Sequence, residues 1–199
     1  INGDLPVGED ITLTVTAFNR EPYVTAIPVI SPDGPYMVFE DDVIDDVSGG
    51  NGNGMIDYGE SVILGMELKN VGPDTAYNVS AVLTESDPYI TLTDDSEAYG
   101  DIAGDFTTAY IADAFAFDVA SDAPDGHIVD MLLTMSETGR DSVWTSNISL
   151  TTHAPVLEYL ALEINDPTGN NNGVLDPGET AELIVTLQNL GSGQADIVT

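Results

Sequence analysis

The chain has 199 residues, with 3 Lys+Arg against 35 Asp+Glu, two His and no Cys, for a formal net charge of −32 at pH 7. Such acidity repels phosphate backbones and anionic headgroups, which argues against nucleic acid and membrane insertion, and the lack of cysteine removes disulfides, thiolate catalysis and thiolate metal sites. A hydrophobic share of 42% is too high for a disordered acidic tail, and no run approaches the roughly 18 apolar residues of a membrane span.

The opening INGDLPVGED has neither an initiator Met nor a basic-then-apolar leader, which reads as a mature or excised piece. Strands are predicted over 11–18 (ITLTVTAF), 62–68, 77–84, 115–119, 127–134, 144–151 and 183–187, as short β-branched or aromatic runs separated by Gly, Pro, Asn and Asp. Val62, Leu64, Met66 and Leu68 alternate, as one buried strand face requires. No stretch shows helical periodicity. The expected fold class is therefore all-β, as tandem immunoglobulin-like antiparallel β-sandwiches.

The sequence also repeats itself. Residues 50–72 (GNGNGMIDYGESVILGMELKNVG) return as residues 169–191 (GNNNGVLDPGETAELIVTLQNLG), with Asp57 matching Asp176, Glu60 matching Glu179 and Asn70 matching Asn189. The offset is 119 residues (176 − 57 = 119), and Ala181, Leu183, Val185 and Leu187 take the places of the alternating apolar strand. A weaker echo links DLPVG at 4–8 to DAPDG at 122–126. On this period, residues 1–30 are the last strands of one unit, 31–154 a complete unit and 155–199 the first strands of a third, with proline joints at 31–35 (SPDGP) and 153–155 (HAP).

Chemistry is expected in the repeated polar loop. Counting Gly49 as position 1, oxygen side chains fall at Asn51, Asn53, Asp57 and Glu60 (positions 3, 5, 9 and 12), with Gly54 at 6 and the Met55 carbonyl at 7. The second copy offers Asn170, Asn172, Val174, Asp176 and Glu179 in the same places. This is the spacing of an EF-hand-type loop, and Ca²⁺ takes six to eight hard oxygen ligands of these kinds. Gly49 and Thr168 stand where an EF-hand has Asp, so Asp46 and Asp166 are the expected substitutes, although their spacing to the first Asn differs by one residue. The loop feeds a strand rather than a helix. Mg²⁺ or Na⁺ remain alternatives, and the plainer reading is a set of Asn-Gly turns, which would need neither carboxylate.

Other polar features are weaker. Asp41, Asp42, Asp45 and Asp46 form one acidic run and Asp94, Asp95 and Glu97 another in an expected inter-strand loop, both read as solvated faces. His127 and His153 have no nucleophile motif beside them, and no enzyme activity is expected. Asn78 and Asn147 open N-glycosylation sequons, while Thr75 and Ser142 follow Asp in the short pattern of bacterial O-glycosylation.

The loop pattern, its following strand and Asn-x-Gly, then YNVSAVLT (77–84), SDPYI (86–90) and YGDI (99–102), resemble tandem immunoglobulin-like modules of secreted bacterial surface proteins. Such modules lie downstream of gingipain-like (C25 family) cysteine peptidase domains, and residues 11–30 resemble the end of the module that follows the peptidase. The resemblance implies calcium at Asp57, Glu60, Asp176 and Glu179 and an extracellular or cell-surface setting. The expected partners are neighbouring repeats or copies of the chain itself, the latter as a filament joined head to tail by strand complementation; a truncated fragment is the other reading of the ends. The alternative function is an accessory domain of such a protease. Residues 31–154 hold 24 of the 35 acids, so self-repulsion concentrates there and should weaken as ionic strength rises.

Overall fold

A computed structural model describes residues 10–28, 33–140 and 142–195. The echo at 4–8 and the first two residues of the joint at 31–35 lie outside these. The described chain is all-β. Its strands are β1 (Asp10–Val15), β2 (Tyr23–Pro28), β3 (Met37–Asp45), β4 (Ile56–Asp57), β5 (Ser61–Asn70), β6 (Ala76–Thr84), β7 (Ile90–Asp94), β8 (Ser96–Ile102), β9 (Thr107–Val119), β10 (Ile128–Ser136), β11 (Val143–His153), β12 (Leu157–Asn165) and β13 (Glu182–Asn189).

The strands β3 to β11 form two sheets, in the orders β3-β5-β9-β7 and β4-β11-β10-β6-β8, packed face to face in a sandwich-like arrangement. Pairing is antiparallel except that β4 joins β11 in parallel, Ile56 opposite Thr152 and Asp57 opposite His153. That exception positions the site described below. Val62, Leu64, Met66 and Leu68 of β5 meet Phe115 and Phe117 of β9 and, from the other sheet, Ala81, Leu83, Met131, Leu133 and Met135, all buried. The predicted alternation along β5 is thus an inward face. It is interrupted at Gly65, where the register to β9 shifts and an added Cβ would lie 2.4 Å from the Tyr110 hydroxyl.

Two further sheets are hairpins, β1-β2 and β12-β13. Most of their apolar residues are exposed, Ile11 and Ile164 being half-buried. Leu183, Val185 and Leu187 are 60%, 54% and 41% exposed, whereas Leu64, Met66 and Leu68, 119 residues earlier, are wholly buried.

Several elements differ from the sequence expectation. Asp41, Asp42 and Asp45 lie on strand β3, with only Asp46 past its end, because a bulge at Phe39/Asp41 and partial exposure let an edge strand carry acids. Burial, then the neighbouring charge of Asp41, raises the Asp42 carboxyl above its usual range. Asp94 ends β7 and Glu97 lies in β8, so the second acidic run is a crossing between sheets rather than a loop, and the carbonyl of Asp95 accepts from the amide of Leu83. β9 begins eight residues before the predicted 115, its first half (TTAYIAD) being mostly exposed. β12 is acidic enough to escape notice in the sequence.

Candidate metal centre

The loop between β3 and β5 is tied together from beneath by Asp46, which is 1% exposed. One carboxylate oxygen, Oδ2, accepts from the amides of Gly52 (2.9 Å) and Asn53 (3.0 Å), and Oδ1 accepts from that of Gly54 (3.0 Å). Burial alone would raise this carboxyl, but the amides of Gly54, Asp46 itself, Asn53 and Gly52 outweigh it and hold the group below the usual carboxylate range. Above it the chain makes successive Asx turns: Asn51 Oδ1 accepts from Asn53 N (3.0 Å) and Asn53 Oδ1 from Met55 N (2.7 Å). Gly52 and Gly54 take φ of 75° and 74°, a region that glycine enters without strain.

The wound loop converges on two acids. The carboxamide nitrogens of Asn51 and Asn53 both donate to Asp57 Oδ2, at 2.7 and 2.8 Å. Glu60 Oε1 accepts from the Asn51 amide at 2.9 Å. Gly50 makes room for that carboxylate, since a Cβ there would lie 2.4 Å from Glu60 Cδ. Asp57 is 3% and Glu60 9% exposed, yet Asp57 Oδ1 and Glu60 Oε2 are buried with no hydrogen-bond partner. Burial is the main reason the Glu60 carboxyl is raised; the Asn51 amide opposes this, the charge of Asp57 adds to it, the Asp57 amide opposes it again and the charge of Asp46 adds a little more. Two adjoining buried carboxylates, each with an unpaired oxygen, form a site that favours positive charge.

The second loop is wound the same way. Asp166 accepts from Asn172 N (3.2 Å) and Gly173 N (3.1 Å), Asn170 and Asn172 donate to Asp176 Oδ2 (2.8 and 3.0 Å), and Glu179 Oε1 accepts from Asn170 N (3.0 Å). Val174 N bonds Asn172 Oδ1, as Met55 N bonds Asn53. Asp46 and Asp166 therefore do the same work despite the one-residue difference in spacing. Here, however, Asp176 and Glu179 are only half-buried.

Of the expected ligands, Asn51, Asn53, Asp57 and Glu60 come together, as do Asn170, Asn172, Asp176 and Glu179. Asp46 and Asp166 instead spend their oxygens on backbone amides, as anchors of the loops. Among the described residues no group of three or more His, Cys, Asp or Glu is gathered as a ready metal site. The carboxylate count is two per loop, and the asparagine carboxamides turn their nitrogens to the aspartate and their oxygens to backbone amides. The repeat gave no sign of the other lining residues of the cleft at this loop, Ser121 and Gln194. They come from distant parts of the chain.

The remaining candidates take structural places. His127 Nε2 and Asp87 Oδ2 lie 2.7 Å apart, with Tyr89 edge-on to the imidazole, while His153 Nδ1 meets Ser192 Oγ at 2.6 Å. Asn78 and Asn147 are exposed, and Thr75 and Ser142 half-buried. No protein-family model matches the chain, and no curated protein matches it either.

Proposed function

We propose that this chain is a non-catalytic, calcium-binding structural repeat of an extracellular or cell-surface protein, built from tandem immunoglobulin-like units. The observation that carries the calcium reading is the pair of buried, partnerless oxygens, Asp57 Oδ1 and Glu60 Oε2. Leaving a buried carboxylate oxygen unpaired costs about 1–3 kcal/mol, and a bound cation removes that cost in the folded state alone. Asp57 and Glu60 would supply carboxylates, and Asn51 and Asn53, whose nitrogens now face Asp57, would turn their carboxamides to supply oxygens. That set suits the flexible oxygen shell of Ca²⁺ better than the near-ideal octahedron Mg²⁺ demands.

The unit type is supported by strand order. By position, β3-β5-β9-β7 follows the ABED order of an immunoglobulin sheet and β6-β10-β11 follows CFG, with β8 added beside β6. The test is thermal melting of the chain in millimolar Ca²⁺ and in chelator. In a chain carrying Glu179→Gln, which silences the second loop, a calcium-dependent rise in Tm that Asp57→Asn abolishes is the expected result; an unchanged transition removes the metal.

One observation favours the filament form of this function. The exposed apolar faces of β1-β2 and β12-β13 carry residues of core type, and Leu183, Val185 and Leu187 are the repeat counterparts of buried Leu64, Met66 and Leu68. Strands of a like unit would cover them, and in the filament form a second copy supplies those strands. Electron microscopy should show head-to-tail polymers; monodisperse monomers at high concentration would reject this form.

A further inference from the structure

We infer that the first calcium loop is one half of a joint between units: the turn after β13 docks beside it, and ion binding and docking stabilise each other. This rests on the calcium reading above and adds to it a partner for the site and a mechanical consequence.

The coupling runs through a continuous set of contacts. Asp57 pairs in parallel with His153, and Tyr58 N donates to His153 O at 3.0 Å. His153 is the last residue of β11, and only three residues separate it from β12. Its imidazole meets the Ser192 hydroxyl, so the residue that fixes the Asp57 backbone also touches the turn after β13.

Asp125, from the turn before β10, clamps the same place. Its Oδ1 accepts from Ala154 N (3.1 Å), Ser192 N (3.1 Å) and the Ser192 hydroxyl. The hydroxyl contact, then the two amides, hold that carboxyl below its usual range. Gly193 seals the seam, because its amide donates to Ala154 O at 3.1 Å and a Cβ would come within 2.7 Å of Ala154. Beyond it, Gln194 lines the cleft of about 380 Å³ together with Gly50, Asn51, Asp57, Glu60 and Ser121. The walls of this cleft thus come from both sides of the joint, and the two partnerless carboxylate oxygens belong to residues of its floor.

A cation that fixes Asp57 and Glu60 would fix the β4–His153 pairing with them. The pairing in turn holds the linker to which Ser192 and Gly193 are bound. Thermodynamic reciprocity then requires that loosening the clamp weaken the ion. The second loop has no such neighbour among the described residues and serves as the internal control.

The test uses the full chain carrying Glu179→Gln, so that calorimetric titration with CaCl₂ reports the first loop. Amide hydrogen exchange at Ala154, Ser192 and Gly193 is followed in Ca²⁺ and in chelator. Calcium should slow exchange at these amides by about fivefold or more, and Asp125→Ala, Ser192→Ala and Gln194→Ala should weaken binding, the first by a similar factor. In a Glu60→Gln background, where the second loop is read, the same variants should leave affinity unchanged. Ser192 and Gln194 are both exposed, so at least these two variants keep the central unit folded, which its own melting transition verifies. Calcium uptake that Asp57→Asn abolishes, with exchange unaltered and all three variants binding normally, overturns the joint while leaving the calcium reading intact. No uptake at either loop overturns the calcium reading itself.

Discussion

The segments 49–72 and 168–191 share 11 of 24 residues, among them Asn51, Asn53, Asp57 and Glu60 with their counterparts, and sit in two surroundings. Their loops are wound alike, down to the two carboxamides on one aspartate oxygen and the glycine beneath the glutamate. Their strands fare oppositely. β5 lies between β3 and β9 and under the second sheet, while among the described residues β13 has only β12 beside it. The keystone asparagines show the same split. Asn70 and Asn189 both accept from an entering backbone amide and a Gly amide, and both donate to the carbonyl four residues on, Asp74 O and Gly193 O, but Asn70 is wholly buried and also donates to Ile102 O. Loop geometry is thus a property of about twenty consecutive residues, whereas burial, and with it the unpaired state of Asp57 and Glu60, is a property of neighbours far along the chain.

The sharpest way to break this comparison is to truncate matching leucines. In the dilute, unassembled chain Leu64→Ala should cost about 2–5 kcal/mol by urea denaturation, and Leu183→Ala less than about 0.5 kcal/mol. Equal losses would mean that β13 is covered in solution. Next in size is Glu60→Gln, whose effect should change sign with calcium. At 100-fold excess over Kd, calcium contributes about 2.7 kcal/mol, which the variant forfeits. In chelator it should stabilise, since it removes a buried charge beside Asp57. Glu179→Gln, at a half-exposed group, should show the calcium-dependent loss with little gain in chelator. A destabilised Glu60→Gln in chelator would show that the orphan oxygens carry no cost.

Asn70→Ala should cost about 1–3 kcal/mol by leaving buried amides and carbonyls unpaired, against about 0.5–1 kcal/mol for Asn189→Ala. The smallest effect is in pH. The folded chain binds the Glu60 proton more tightly than the unfolded chain, so in chelator this group should add stability as pH falls from above its raised pKa towards about 4.5. Asp46 acts the other way: its contribution is present above its unfolded pKa and is lost as pH falls through its lowered folded value. Replacing Glu60 by Gln should remove the first trend and leave the second.

Much of this was legible in the residues. The period of two along 62–68 marks an inward face because hydrophobic burial repeats with the pleat, and the Asn, Gly, Asp and Glu spacing of the loops marks their winding because those bonds are local. β3, β8 and β12 were hidden because acids on edge or half-exposed strands erase the alternation that identifies a strand. The exposure of Leu183, Val185 and Leu187 was hidden for a different reason. Periodicity shows which face should be covered but not what covers it. Ile184 stands where Gly65 packs against Tyr110, so even the repeated strand is fitted to its own neighbours.

By itself, then, the sequence determined the β class, the 119-residue period and the wiring of both loops, since each depends on residues within one strand or one turn of another. Tertiary structure alone decided that Asp57 and Glu60 are buried with unpaired oxygens while Asp176 and Glu179 stay half-buried, because that depends on neighbours far along the chain. It also decided that the Asp57 loop lies against His153, Asp125 and Gln194. Those contacts span separations that no local pattern encodes, and they arise only when the parallel β4-β11 pairing brings the loop to the end of the unit.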